Sequence, residues 1–423
     1  MQRALYQLLL LLALPLIPFR LLWRGLRQPA YLRHVAERFG WYSAPTVSPL
    51  IWIHAVSVGE VRAAQPLLAA LGTAHPGAHF LITVMTPTGR DTAEAIASVD
   101  VRVKVAYLPY DYSATVGRFL DHFRPRVGLI METELWPNLL AECAARKLPV
   151  ALVNARLSEK SARGYLRFRS LIGDALRSLA LVTAQSAADA ERLTTLGARS
   201  VQVTGNLKFD LTPDERLREQ GRQWRRRLPP GTAVLMLASS REGEEALVLD
   251  AWLKLDANIR KDRLLAIVPR HPQRFDEVAK LVTDRGLALS RRSRDDAPES
   301  DVWLGDSMGE MAACYALADL VIMGGSLIDS GSQNLIEPCA QGRPVVLGPS
   351  IFNFQEAASL AVREGAARQV AQGAETVACA LDWLQNPADM RRAAEAALQF
   401  TAAHRGATGR TLAALSPMLA ERL

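Results

Sequence analysis

From residue 50 onward, short apolar runs alternate with longer segments in which apolar residues recur every three or four positions. The apolar runs predict strands, and the periodic segments predict helices. Such alternation is typical of an α/β fold in which a parallel sheet carries helices on both faces. The predicted strands are residues 51–54, 80–84, 103–107, 127–131, 150–154, 181–184, 201–204, 234–238, 264–268, 302–304, 320–323 and 345–347. The predicted helices include residues 60–72, 89–97, 112–122, 137–146, 187–196 and 214–227.

The alternation pauses near residues 206–213, where a highly charged helical pattern precedes the second series of strands. A chain of 423 residues is also long for a single domain. We therefore predict two doubly wound, Rossmann-like domains whose strand ends face a common cleft, where such proteins bind ligands. The predicted division is residues 1–40, 41–207, 208–390 and a C-terminal helix at 391–423 that packs back on the N-terminal domain.

The first forty residues differ from the rest in hydropathy. Between Arg3 and Arg20 the sequence is almost wholly apolar, but it contains Pro15 and Pro18 and is shorter than the roughly 20 residues of a usual spanning helix. No small-residue cleavage site follows, which argues against a removed signal peptide. We interpret the segment as an anchor on an anionic membrane surface, with arginines at the headgroups. Packing on the protein's own core and a single transmembrane span are the alternatives.

Charge is concentrated in the same segment, because six arginines and one glutamate give residues 1–40 a charge of +5 out of the total of +7. These arginines are Arg3, Arg20, Arg24, Arg27, Arg33 and Arg38. The remainder of the chain is close to neutral and aromatic residues make up only 6%, so we predict no nucleic-acid partner. Four widely spaced cysteines without a CxxC pair predict neither a disulfide framework nor a zinc site.

Acidic residues follow two predicted strands of the first half. Glu60 opens the helix after the first strand, in HAVSVGE, with Ser57 in the turn before it. A glutamate at a helix start is ordinarily a stabilising cap, but at a strand end beside a cleft it also suits a general base. Glu132 and Glu134 follow another strand, in METELWPN. Two acids so close after an apolar strand cannot both be core residues, and we expect at least one to face substrate.

Basic residues recur at other strand ends of the same half. Arg90 lies in TPTGRD, Arg156 in NARLS, and Lys208 in NLKFD at the junction between the two halves. Any one of them alone is ordinarily a solvated surface group. Their recurrence at predicted strand ends favours an anionic substrate.

Polar loops follow four strands of the second half. These loops are ASSREGEE with Ser240, VPRHPQRF with Arg270, GDSMGEM with Gly309, and GGSLIDSGSQNLIEP with Glu337. Glycines let a ligand approach the backbone, and helix starts offer N–H donors to a phosphate. Glu337 is placed to accept hydrogen bonds from sugar hydroxyls. The four loops together predict a nucleotide site, whereas His271 has no second metal ligand at a suitable spacing.

Taken together, these motifs resemble the 3-deoxy-D-manno-octulosonic acid (Kdo) transferases of lipopolysaccharide assembly. The resemblance also includes the apolar, arginine-flanked start and the sequences YLPYD and GPSIFNFQE, and it covers nearly the whole chain. It implies a GT-B glycosyltransferase on the cytoplasmic face of the inner membrane. The implied reaction moves Kdo from CMP-Kdo to a lipid A precursor, lipid IVA, with the N-terminal domain binding the acceptor and the C-terminal domain the CMP-sugar.

The resemblance also implies roles for particular residues. Glu60 is the expected general base of an inverting displacement, with Glu132, Glu134 and Lys208 around the reacting centre. The implied CMP site consists of Pro269, Arg270, Met308, Gly309, Glu310, Met311, Gly325, Ser326, Asn334, Leu335, Ile336 and Glu337. The residues expected to touch Kdo or the acceptor are Ser57, Arg90, Arg156 and Ser240. Because the donor carries one phosphate, we expect neither a metal nor another cofactor.

Two other functions remain open at this point. The first is a transferase or epimerase of the same fold that uses a nucleotide diphosphate sugar. The second is a catalytically silent scaffold on the membrane surface. Preference for UDP over CMP would favour the first, and full cellular function of a Glu60→Gln variant would favour the second.

Overall fold

The computed structural model describes residues 2–43, 45–296, 298 and 300–423, without the side chain of Arg27. The chain divides into two compact units, Met1–Leu211 with Arg405–Leu423, and Thr212–His404. Each unit is built on a seven-stranded parallel sheet. The predicted fold class, parallel sheets with helices between their strands, is therefore confirmed.

The sheet of the first unit has the strand order β3-β2-β1-β4-β5-β6-β7. Its strands are β1 Leu50–His54, β2 His79–Val84, β3 Val103–Tyr107, β4 Val127–Met131, β5 Val150–Ala155, β6 Leu181–Ala184 and β7 Val201–Val203. Its helices up to the unit boundary are α1 Gln2–Ala13, α2 Leu16–Arg27, α3 Val58–Ala74, α4 Pro87–Ala97, α5 Ser113–Phe123, α6 Pro137–Ala145, α7 Glu159–Leu166, α8 Arg169–Arg177 and α9 Ala187–Leu196. The winding reverses between β1 and β4, and this switch point is where doubly wound sheets bind ligands.

The sheet of the second unit has the order β10-β11-β9-β8-β12-β13-β14, with its switch point between β8 and β12. Its strands are β8 Ala233–Ser240, β9 Arg263–Pro269, β10 Leu289–Arg291, β11 Val302–Leu304, β12 Leu320–Met323, β13 Val345–Leu347 and β14 Ala367–Gln369. Its helices are α10 Glu215–Arg227, α11 Glu244–Leu253, α12 Ala257–Lys261, α13 Phe275–Thr283, α14 Met311–Leu317, α15 Ile336–Cys339, α16 Gln355–Arg363, α17 Thr376–Gln385 and α18 Pro387–Ala403.

The last helix, α19 (Ala407–Ala420), belongs to the first unit. Leu415 and Leu419 are fully buried in the apolar layer between the sheet and α3. The helix start is held by Asp210, whose carboxylate accepts the N–H groups of Gly406 at 2.7 Å and Thr408 at 2.6 Å. The continuous C-terminal helix predicted at 391–423 is thus two helices, α18 and α19, and the units divide at Leu211 instead of at residue 207.

The buried strands of a parallel sheet can be predicted from sequence because helices cover both faces of the sheet. All five residues of β1 and of β4 are buried, so each strand is a continuous apolar run. All twelve predicted strands are present. Two further strands, β10 and β14, escaped prediction because each has three residues, partly exposed and largely polar.

The N-terminal segment forms two helices, α1 and α2, separated by a bend of 57°. Among the described residues no single helix is long and apolar enough to cross a membrane, although this bent pair passes that test together. None of the residues of α1 is buried. The side chains of Leu5, Leu8, Leu9 and Leu12 are each more than half exposed, which leaves an apolar surface on this helix.

Candidate active site

Glu60 lies in the first turn of α3, directly after the buried strand β1. Its carboxylate accepts a hydrogen bond from the N–H of Val56 at 2.8 Å and another from the hydroxyl of Ser57 at 3.2 Å. Burial raises the pKa of Glu60 to about 8, and the nearby charges of Glu132 and Glu134 raise it further. The group therefore fixes the turn before the helix and also has a pKa close to neutrality, as a general base requires.

Glu132 follows β4, across the switch point from β1, and has a left-handed backbone with φ +57°. Its carboxylate accepts a hydrogen bond from Lys208 Nζ at 2.6 Å, and each side chain is only 14% exposed. Burial alone would raise the pKa of Glu132, but Lys208, with Arg156 near it, holds that pKa below its usual range. The site therefore contains an ionised carboxylate paired with a cation, close to a second carboxyl group that is readily protonated.

Glu134 is the third carboxyl group of this cluster. Its side chain accepts a hydrogen bond from Trp136 Nε1 at 2.6 Å. Burial raises the pKa of Glu134, and the negative charge of Glu132 also raises it. The hydrogen bond from Trp136 lowers this pKa, but by less, so the net shift is upward. The structure thus brings Glu60, Glu132, Glu134 and Lys208 together at one switch point, as their positions at predicted strand ends indicated.

Asn154 supports Lys208 and was not singled out from the sequence. It lies fully buried at the end of β5 with φ +54°, and its side-chain oxygen accepts the N–H of Leu207 at 3.0 Å. The side chain of Asn206 accepts the N–H of Lys208 at 3.0 Å. Asparagine is among the few residues that tolerate a left-handed backbone, and an asparagine ending an apolar strand was the available sequence signal.

Arg90 has a different environment from the one its position suggested. Its guanidinium bonds Glu37 at 2.6 Å and Glu94 at 2.7 Å, and lies 4.9 Å from the ring centroid of Tyr107. Glu37 also accepts the N–H of Tyr107 at 2.7 Å. Arg90 therefore ties the N-terminal segment to α4 and β3, and its contact with an anionic substrate stays a prediction. Arg156 contributes its charge beside Glu132, and Ser57 is the N-cap residue of α3.

In the second unit, Glu244 holds two loops together at the switch point between β8 and β12. Its fully buried carboxylate accepts N–H groups of Arg241 at 2.8 Å, Gly325 at 2.8 Å and Leu327 at 3.0 Å. A side chain at Gly324 would collide with the backbone oxygens of Ser239 and Ala238, so the turn after β12 requires glycine there. Sequence reasoning missed Glu244, because a buried glutamate is recognisable only from its partners.

Ser240 is also enclosed. It is 1% exposed, and its hydroxyl donates to Glu245 at 2.7 Å. Arg274 donates to the same carboxylate at 2.7 Å. The structure thus shows Ser240 in an internal network that fixes the end of β8, and its contact with Kdo or the acceptor stays a prediction.

The turn before α14 is fixed by Glu310. Its carboxylate accepts hydrogen bonds from Arg292 at 2.9 Å, from Gln220 at 3.0 Å and from the Ser307 hydroxyl. Burial opposes ionisation, but the Ser307 and Arg292 hydrogen bonds hold the pKa of Glu310 below its usual range. Within this turn Gly309 has φ +85° and Met308 is 54% exposed, while Met311 begins α14.

Asn334 and Glu337 form the start of α15. Asn334 accepts the N–H of Ile336 at 3.1 Å and donates to Glu337 at 2.9 Å. Leu335 and Ile336 are at most 1% exposed, so their side chains are core and only their backbone is available to a ligand. At the neighbouring turn, Ser326 is also fully buried.

Arg270 follows Pro269 at the end of β9, and its N–H donates to the carbonyl of Ser240 at 3.0 Å. Burial lowers the pKa of His271, and the charges of Arg270 and Arg241 lower it further, so this ring is neutral at physiological pH. Over the described part of the chain, no group of three or more His, Cys, Asp or Glu side chains is arranged to hold a metal ion.

Comparison with known proteins identifies relatives along the whole chain. A family model described as 3-deoxy-D-manno-octulosonic-acid transferase matches residues 33–211. The chain is 42% identical to a 3-deoxy-D-manno-octulosonic acid transferase of Bordetella pertussis, covering 99% of this chain and 100% of the relative. It is 34% identical to the transferase of the same name from Haemophilus influenzae, with 99% of each chain covered.

Among solved structures, a UDP-GlcNAc 2-epimerase from Neisseria meningitidis bound to UDP-GlcNAc matches with a TM-score of 0.60 and 14% identity, covering 87% of this chain and 99% of the epimerase. At that identity the match shows a shared fold alone. The transferases, by contrast, match in sequence over 99% of this chain. The protein is thus a glycosyltransferase and belongs to the 3-deoxy-D-manno-octulosonic acid (Kdo) transferase family.

Proposed function

We propose that this glycosyltransferase moves Kdo from CMP-Kdo to a hydroxyl of a lipid A precursor, lipid IVA, by a single inverting displacement. Family membership supports the sugar and the reaction class. The observation that carries the mechanism is the position of Glu60, a carboxyl group with a pKa of about 8 at the switch point of the first unit.

In this mechanism Glu60 removes the proton from the acceptor hydroxyl as the hydroxyl oxygen attacks the anomeric carbon of Kdo. The bond from that carbon to the phosphate oxygen breaks, and CMP leaves with the electron pair. A base on the acceptor side requires no covalent intermediate, and the configuration is therefore inverted. A pKa near the working pH makes Glu60 an effective base, because a useful fraction is ionised and still takes up a proton.

Lys208 is placed to stabilise negative charge during this step. The Kdo donor carries a carboxylate and a phosphate, and Glu60 is itself an anion when it acts. Lys208 is held by Glu132 at 2.6 Å, which fixes its ammonium group before substrate arrives. Preorganised charge of this kind stabilises a transition state without a cost of reorientation.

We propose that the second unit binds CMP through the loops that follow β9, β11 and β12. Glu244 fixes the Gly325 loop and Glu310 fixes the Gly309 turn, so backbone N–H groups there are presented in a defined geometry. Helix starts and cations are sufficient to neutralise a single phosphate. We therefore propose that no divalent metal takes part.

We propose further that α1 and α2 lie on the cytoplasmic face of the inner membrane. The exposed leucines of α1 and the 56% exposed Trp23 of α2 supply apolar surface. Arginines nearby suit an anionic headgroup layer. This placement explains why an enzyme acting on a lipid carries so much apolar surface.

The test is mass spectrometry of tetra-acylated lipid A precursor after incubation with the protein, CMP-Kdo and EDTA. We expect one or more Kdo units to be added by the wild type and by Glu191→Gln, an exposed-glutamate control. Glu60→Gln should be slower by about 10²–10⁴-fold. Equal turnover by Glu60→Gln would refute the role of Glu60, and transfer from UDP-GlcNAc in place of CMP-Kdo would refute the donor.

A further inference from the structure

Helix α1 is attached to the first unit through polar contacts. Tyr6 donates its hydroxyl hydrogen to Asp111 Oδ2 at 2.8 Å, and Gln7 donates to the side chain of Asn138 at 3.3 Å. At the start of the helix, Gln2 accepts the N–H of Leu171 at 3.0 Å. A helix that served only as a tether would not require specific hydrogen bonds to the folded unit.

The central partner in this contact is Asp111. It is 4% exposed and accepts the N–H groups of Asn138 at 3.1 Å and Leu139 at 2.7 Å, which are otherwise unpaired at the start of α6. Asn138, itself 1% exposed, returns a hydrogen bond to the carbonyl of Asp111 at 2.7 Å. The hydroxyl of Tyr6 completes the environment of this buried carboxylate.

Helix α6 begins directly after the segment that carries two of the three acids of the proposed active site. The indole of Trp136 donates a hydrogen bond to Glu134, and the next residue, Pro137, is the first residue of the helix. The position of the α6 start therefore determines where this short connection can place Glu134. Tyr6 thus reaches the start of α6 through one buried aspartate, Asp111.

We propose that α1 is a positioning element of the acceptor site, in which the Tyr6–Asp111 hydrogen bond fixes the start of α6 and, with it, residues 132–136. Tyr6 and Asp111 are positioning residues, since neither touches the reacting atoms. The consequence for activity rests on the proposed Kdo transfer. Docking of α1 at the membrane then does more than concentrate the enzyme there, because it completes the geometry around Glu134.

The chain supplies a matched pair of variants. Tyr6→Phe removes the hydroxyl that reaches Asp111, whereas Tyr112→Phe removes a hydroxyl that reaches only the carbonyl of Leu10, at 2.7 Å. Both changes delete one hydrogen bond between α1 and the same unit. They differ in whether the lost bond leads to the start of α6.

The experiment measures amide hydrogen exchange over residues 132–140 and steady-state transfer, for the full chain on phosphatidylglycerol vesicles. For Tyr6→Phe we expect exchange at Asn138 and Leu139 to be about tenfold faster, the scale of one hydrogen bond. We also expect kcat with the lipid acceptor to fall about five- to tenfold on the same scale. The KM for CMP-Kdo and both quantities in Tyr112→Phe should stay at wild-type values.

Equal exchange in Tyr6→Phe and Tyr112→Phe overturns the proposal, as does an equal loss of kcat in both. Asp111→Asn is the second variant, because asparagine still caps a helix but is a weaker acceptor for Tyr6, and it should change the same two quantities in the same direction. Hydrogen exchange does not depend on turnover. If the wild type failed to transfer Kdo, the proposed function would fall while exchange still decided the role of α1.

Discussion

Glu60 combines burial with neighbouring negative charge, and both disfavour its ionised form. Because a general base acts in its ionised form, we expect kcat/KM to rise with pH through about 8 and to level off above that value. Measuring kcat/KM between pH 5 and 10 tests this expected rise. Glu132→Gln removes one of the neighbouring charges and should move the profile to lower pH. A profile that fell through this range would exclude Glu60 as the base.

The same pKa predicts an effect on stability. The folded state binds a proton at Glu60 between the ordinary pKa of 4.5 and about 8, where the unfolded chain does not, so this group's contribution to stability falls as pH rises through that window. Glu60→Gln removes the cost of ionising a buried carboxyl group. We expect the variant to be more stable above pH 8, on the order of 2 kcal/mol by urea unfolding, with little difference near pH 5. A variant less stable than wild type at both pH values would contradict the burial argument.

For individual residues, the sequence indicates the candidate catalytic residues better than it indicates which side chains they contact. Glu60, Glu132 and Lys208 are recognisable because strand ends of a doubly wound sheet converge. Arg90 has the same sequence signal, yet it pairs with Glu37, 53 positions away. A side-chain ion pair of that span depends on the folded backbone, which no local pattern encodes.

Among the secondary-structure elements, the turn after β12 depends on a single side chain from α11. Replacing Glu244 with alanine leaves three backbone N–H groups without their acceptor. We expect Glu244→Ala to lower the free energy of unfolding by about 3 kcal/mol and to weaken CMP binding measured by calorimetry. Exposed Glu242→Ala, two residues away, is the control and should change neither. Wild-type CMP affinity in Glu244→Ala would show that the Gly325 loop does not contribute to the donor site.

The connection between α7 and α8 provides a second apolar surface next to α1. Leu166 is 47% exposed and Phe168 is 57% exposed, arginines lie at 163, 167 and 169, and Gln2 of α1 bonds Ser170 at 2.5 Å. We expect Leu166→Ser with Phe168→Ser to weaken binding to phosphatidylglycerol vesicles about tenfold, because two apolar side chains no longer enter the interface. Vesicle flotation measures this change.

The matched control for that experiment is the pair Val99 and Val101, which are 85% and 87% exposed in the turn before β3. Serine at both positions removes two exposed apolar side chains whose one neighbouring arginine in the sequence, Arg102, is paired with Asp100 at 2.8 Å. Equal losses in the two double variants would show that the α7–α8 connection has no special role. The short helices α7 and α8 were not assigned from the sequence. The segment RGYLRFRS has arginines between its apolar residues, so its apolar positions follow neither the helical repeat nor the strand repeat clearly.

For the molecule as a whole, the alternation of apolar runs with periodic segments was sufficient to predict two parallel sheets. Central strands such as β1, β4 and β12 are buried at every residue, so their apolar runs are continuous and independent of distant residues. The division of the C-terminal segment into α18 and α19 was harder to predict. The break between α18 and α19 depends on Gly406, with φ +90°, and on Asp210, which accepts from the first turn of α19. An alanine-rich sequence that favours helix throughout does not show such a break.

This path predicts different behaviour for fragments of the two units. Residues 212–404 are continuous, so we expect this fragment to fold alone, bind CMP and unfold in one cooperative transition. Residues 1–211 lack α19, whose Leu415 and Leu419 are fully buried against α3 and each contribute about 2–5 kcal/mol. We expect fragment 1–211 to be unfolded or strongly destabilised in thermal melts followed by circular dichroism.

Adding α19 back should restore the folded state of fragment 1–211, and the two segments can be joined by a short linker. Asp210 accepts the N–H of Gly406 at 2.7 Å, so residues 211 and 405 lie close together and a short glycine–serine linker can join them. We expect the joined fragment to melt cooperatively, and Leu415→Ala within it to lower the free energy of unfolding by about 3 kcal/mol. If residues 1–211 alone melted at the same temperature as the joined fragment, α19 would be dispensable, and the first unit would end at Leu211.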